Sequence, residues 1–143
     1  MDDSQLMAEA RLITAMHARE VADFARGIVG SVATGTAAEH IRAARRLRLL
    51  SLQVLQWTVR SEVLRGEPWS ELAAALGRDE EAVRAEYEAG TAQWTVRLAE
   101  HPDSEESVET ARALDEWYRA HADDLLDPAE VSPVSALFTA PPE

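Results

Sequence analysis

A chain of 143 residues with 46% apolar residues and a formal charge of −12 has room for one modest core, and by length it is a single domain. It contains no cysteine, which excludes disulfides, thiolate nucleophiles and cysteine-held metals together. No run approaches the ~18 apolar residues of a membrane span, and the acidic start Met1-Asp2-Asp3-Ser4 lacks the basic region of a secretory signal, so we expect a cytoplasmic protein with no membrane partner.

All 14 basic residues are arginine, a bias that a GC-rich coding genome would explain, and they are unevenly spread. Residues 31–66 carry 6 arginines against 2 acids, residues 67–100 carry 3 against 8, and residues 101–143 carry 2 against 11. One basic block therefore stands in an acidic chain.

The first expected helix runs from Ser4 to about Val29, capped by Asp3 or Ser4. Leu6, Ile13, Met16, Val21, Phe24 and Ile28 form its apolar stripe, which suits either core packing or a homodimer seam through this N-terminal helix. Gly27, Gly30 and Gly35, with Ser31, Thr34 and Thr36, mark a break and connector. No Gly-Lys-Ser/Thr sequence accompanies them, so they do not form a phosphate-binding loop.

Thr36-Ala37-Ala38-Glu39 is a capping box that opens a second helix to about Arg65. Its apolar positions include Ile41, Ala44, Leu47, Leu50, Leu55, Trp57, Val59 and Leu64. Its first turns carry Arg42, Arg45, Arg46 and Arg48, which spread over more than half the circumference, so some of them face solvent. Three roles suit this block: a solvated face, phosphate contact, or pairing with the acidic C-terminal third.

Gly66-Glu67-Pro68 separates that helix from the next, with Pro68 expected at the first helical position. Trp69, Leu72, Ala73 and Leu76 then repeat at helical spacing, Gly77 supplies a left-handed stop, Asp79 is an N-cap, and Ala82, Val83 and Tyr87 continue the pattern. Helix, glycine turn and helix make a helix-turn-helix at 68–88. The second helix extends along Thr91, Trp94 and Leu98, and Gly90 within it costs about 1 kcal/mol relative to alanine. A last helix is expected from Ser104 to Leu126, with Val108, Ala111, Leu114, Tyr118 and Leu125 inward. The tail from Pro128 holds four of the six prolines and the apolar residues Val131, Val134, Leu137 and Phe138. Either it lies in a groove of the domain or it is a linear motif for a partner. Each of the four tryptophans, Trp57, Trp69, Trp94 and Trp117, falls on its own helix near an apolar stripe, and one shared aromatic core is expected.

The order Trp69, Leu72, Ala73, Leu76, Gly77, Asp79, Val83, Tyr87 resembles the helix-turn-helix of small bacterial transcriptional regulators and of sigma-factor region 4, over about residues 60–90. The resemblance implies a DNA-binding transcriptional regulator, dimeric as such proteins commonly are, with the second helix in the major groove. Carried onto this chain, its DNA contacts would be Arg84 and Arg78, with Arg42, Arg45, Arg46 and Arg48 in support. The outward positions Asp79, Glu80, Glu81, Arg84, Ala85 and Glu88 include four carboxylates, which repel phosphates. The alternative is a protein-interaction module without DNA binding, using Glu80, Glu81 and Glu88 together with Val134, Leu137 and Phe138, its acidic surface resembling DNA.

His17, His40, His101 and His121 are scattered, without His-x-x-x-His or Glu-x-x-His spacing, and no nucleophile elbow appears. No enzyme, metal or cofactor is expected. The fold expected is all-α, about five helices around a helix-turn-helix, with residues 1–127 as one helical domain and 128–143 as a Pro-containing extended tail.

Overall fold

The computed structural model describes residues 1–139 and is all-helical: α1 Asp3–Ser31, α2 Ala37–Arg65, α3 Trp69–Leu76, α4 Glu80–Glu100, α5 Ser104–His121 and a short 3-10 turn, Ser135–Phe138. Residues 140–143 of the expected tail lie outside the described residues. Among the described residues there is no strand, and no helix is long and apolar enough to cross a membrane.

Local chemistry explains most boundaries. Asp2, one residue earlier than expected, caps α1 and forms a reciprocal capping box with Gln5. Gly27 and Gly30 fall inside α1, which runs on to Ser31, where the Ser31 hydroxyl donates to the Gly27 carbonyl. The Thr36–Glu39 box opens α2 as its sequence requires. At Gly66 and Gly77 the backbone is left-handed (φ 89° and 64°), and the following N–H groups reach back to the Glu62 and Ala73 carbonyls, closing both helices. Pro68 is the extended cap of α3 rather than its first helical residue. Asp79 caps α4 through the Ala82 N–H.

α1 and α2 lie side by side, antiparallel, with Arg11 of the first reaching Glu62 of the second at 3.5 Å. Along α2 the positions Ala43, Leu47, Leu50, Val54, Trp57 and Ser61 are at least half-buried at steps of four and three, the spacing of a coiled-coil seam. The expected inward positions Ile41, Ala44 and Leu55 are exposed instead, because α1 covers only one side of α2.

Two small cores sit on this hairpin. In one, Val59 of α2, Ala73 of α3, and Val83 and Tyr87 of α4 are buried, with Val63, Trp69 and Leu76 packed against them. Ala82, expected in this stripe, is exposed. In the other, Leu12 of α1 meets Ala111 and Leu114 of α5, covered by Ala15, Val134 and Phe138. The tryptophans divide accordingly and do not share one core. Trp57 and Trp94 meet edge to face at 5.0 Å, Trp69 joins the first core, and Trp117 lies between α1 and α5, donating to Asp23 and stacking on His121.

α5 ends at His121, five residues before the expected end at Leu126. Ala122 is extended, and the Asp123 carboxylate accepts from the N–H groups of Leu125 and Leu126, offering the backbone a turn in place of another helical one. Leu125, expected inward, is 94% exposed. The chain then doubles back along α5. Tyr118 donates to the Pro128 carbonyl, Arg119 donates to the Val131 carbonyl, and the buried Asp115 carboxylate accepts from the N–H groups of Val134 and Ser135 at 2.8 and 3.2 Å. A carboxylate at the start of the 3-10 turn satisfies donors that would otherwise be orphaned, which fixes Val134 and Phe138 over Leu12.

Three expectations follow. Asp115→Ala should lower unfolding free energy by about 2–3 kcal/mol, the scale of hydrogen bonds to a buried charge. Deleting residues 128–143 should lower the melting temperature more than Asp115→Ala does, because it uncovers Leu12, Ala111 and Leu114; unchanged urea midpoints in both would refute this role for the tail. Glu9, which accepts from the Ser107 hydroxyl at 2.8 Å, has its pKa raised, chiefly by burial. The folded state therefore holds that proton more tightly than the unfolded chain, and ionised Glu9 detracts from stability until pH falls through the raised value. Glu9→Gln should be at least as stable as wild type at pH 7, with the difference narrowing on acidification in parallel denaturation curves.

Candidate interaction site

The α3–α4 unit presents its outward positions as its spacing requires. Asp79, Glu80, Glu81, Arg84, Ala85 and Glu88 are all exposed, while Val83, Tyr87 and Thr91 point into the core. The acids of the first turn lie at the positive end of the α4 dipole, where carboxylates stabilise the helix whatever else they do.

Of its three arginines, the two nearest the turn, Arg78 and Arg84, are engaged at home. Arg84 Nε lies 2.5 Å from Glu88 one turn along, and the Arg78 guanidinium bonds Glu86 across the turn, which pushes its pKa up. Glu80 and Glu81 have no cationic partner among the described residues. The face that would enter a groove thus carries paired arginines and uncompensated carboxylates.

Arg42, Arg45, Arg46 and Arg48 are exposed on the first turns of α2, at the end of the hairpin that carries neither small core. None of them is within ion-pairing distance of a carboxylate among the described residues. Fourteen residues of helix, about 21 Å, separate Arg45 from Val59, where the helix-turn-helix is anchored. Among the described residues, the structure neither brings this block to the outward face of α4 within one chain nor pairs it with the acidic C-terminal third.

The tail side chains are placed differently again. Val134 and Phe138 pack on the α1–α5 core, and Leu137 is half-buried beside them. The α1 stripe is also used within the chain: Leu6, Ile13, Val21, Phe24 and Ile28 are half-buried, and only Met16 is exposed.

Two features escape the sequence reading. Asp115 anchors the tail, and only its place between Leu114 and Trp117 on an apolar face could have signalled it. Exposed leucines on the side of α2 away from α1 were legible as a second set of four-three steps, Ile41, Arg45, Arg48, Leu52, Leu55 and Val59, in which the arginines disguise the pattern. A hollow of about 240 Å³ at the α1–α2 connection is lined by Ile28, Val32, Thr34, Glu39 and His40, with His40 turned onto the Thr34 carbonyl. No group of three His, Asp or Glu among the described residues could hold a metal ion.

Because Arg84 and Glu88 are both more than half exposed, their pair contributes little to folding. Arg84→Ala should shift stability by less than about 0.5 kcal/mol in urea denaturation, which makes it a probe of binding without a folding defect.

Comparison with known protein families, curated proteins and solved structures finds no match for this chain.

Proposed function

We propose that this chain is a small helix-turn-helix regulatory protein that acts through protein contact, offering the outer face of α4 to a basic surface on another protein. The observation that carries this reading is the charge state of α4. Arg78 and Arg84 are neutralised by Glu86 and Glu88, and Glu80 and Glu81 are left uncompensated among the described residues. Phosphates line both sides of a major groove, and this face would be repelled by them; an arginine- or lysine-rich protein surface is its complement. The likeness of residues 60–90 to helix-turn-helix regulators supports the regulatory setting.

A second reading, DNA binding, is favoured by one observation: Arg42, Arg45, Arg46 and Arg48 are exposed and without carboxylate partners among the described residues. Guanidinium groups suit phosphate oxygens, and such contacts give affinity without sequence. In that reading the hairpin end holds the DNA backbone and α4 reads no bases.

The two are separated by retention of sheared genomic DNA at two salt concentrations, with Arg84→Ala and the fourfold Arg42/Arg45/Arg46/Arg48→Ala variant alongside. The protein-contact reading expects no sequence-selective retention and no effect of Arg84→Ala. Selective retention that falls with salt and with Arg84→Ala would overturn it. Retention lost only in the fourfold variant, and equal for all sequences, would establish the second reading. In affinity capture run in parallel, a partner of the proposed kind binds wild type and is lost from Glu80→Lys/Glu81→Lys, whose melting temperature should be within a degree or two of wild type for exposed substitutions.

A further inference from the structure

The side of α2 turned away from α1 carries an apolar seam that nothing among the described residues covers. Ile41, Leu49, Leu52 and Leu55 are 61%, 57%, 45% and 44% exposed. The seam leads directly into Val59, where the same side of the helix is buried by α3 and α4. It is therefore half used: one end holds the helix-turn-helix and the other lies open.

The total surface agrees with a missing cover. The chain exposes 9792 Å², whereas a compact 15.7 kDa protein exposes about 7,300 Å². The surplus of roughly 2,500 Å² exceeds the ~800 Å² that each partner removes in a standard stable interface.

Symmetry and charge identify the occupant. Leu49 and Leu55 lie three residues either side of Leu52, and all three are exposed. No acid occurs between Glu39 and Glu62, while residues 67–100 carry 8 acids against 3 arginines. A two-fold axis at Leu52 thus sets leucine on leucine at the centre and lays each basic half of α2 towards the acidic half of the other molecule. An isologous contact requires such self-complementarity.

We propose that a second copy of this chain covers the outer seam of α2, crossing it about a two-fold axis at Leu52 so that Leu49, Leu52 and Leu55 of each copy meet those of the other. This dimer differs from one through α1, whose stripe is consumed within the chain, and it needs no other protein species. It stands or falls separately from the protein-contact reading of α4.

Sedimentation equilibrium of the full chain should give twice the 15.7 kDa mass at micromolar concentrations. Leu52→Glu opposes two carboxylates at the axis and should weaken the dimer at least tenfold, and Arg42→Glu should weaken it and reduce its salt dependence. Circular dichroism should show both variants as helical as wild type, since the substituted residues are exposed. The chain has no cysteine, so Leu52→Cys offers a direct readout: it should cross-link to a covalent dimer under mild oxidation far faster than Val29→Cys on the exposed end of α1. A wild-type monomer at high micromolar concentration would overturn the proposal and leave the seam to a different partner. So would a dimer indifferent to Leu52→Glu, or Leu52→Cys cross-linking no faster than Val29→Cys.

Discussion

The packing of α1 along α2 sets the position of everything else in this molecule. Two helices of 29 residues each, joined by a short turn, form a spine about 43 Å long. Neither helix is covered on every side. α1 uses one flank on α2 and another on α5, and α2 uses one flank on α1 and the end of another on α3 and α4. Two small cores result in place of one large one, and among the described residues the largest side chain buried completely is Val83. Both cores gather on the half of the spine that holds the start of α1 and the end of α2, which leaves the hairpin turn and the basic first turns of α2 projecting.

So thin a core makes polar fastening consequential. Asp23 receives Trp117, Arg19 and Arg26, and its pKa is held below the usual carboxylate range, chiefly by Arg26. Asp115 ties down the tail, and Glu9 bonds Ser107 across the α1–α5 contact. Together these bonds locate α5 and the returning tail against α1 at several points along its length. Exposed ion pairs such as Arg65–Glu67 add orientation and little energy.

For function the same geometry separates charge. The helix-turn-helix at one end carries arginines paired with their own glutamates and carboxylates left over. Arg42, Arg45, Arg46 and Arg48, without carboxylate partners among the described residues, sit about 21 Å away along α2, beside leucines that face solvent. An acidic unit, a basic end and an apolar strip between them are the surfaces on which the two proposals rest.

The sequence by itself determined the elements. The Thr36–Glu39 box, Gly66, Gly77 and Asp79 act within three to five residues of themselves, so the chain carries those boundaries wherever it goes. The inner face of α3 and much of that of α4 were equally legible, as was the all-helical class. Only the tertiary structure decided which side of α2 is covered, since Ile41 and Leu55 look as apolar as Leu50 until α1 takes one flank and leaves the other. Only the fold showed that Asp115 is a buried anchor, that Val134 and Phe138 close a core with Leu12, and that the tryptophans divide among three places. These are contacts between residues tens of positions apart. Helical periodicity states that a face is apolar, but the geometry of the other helices selects its partner.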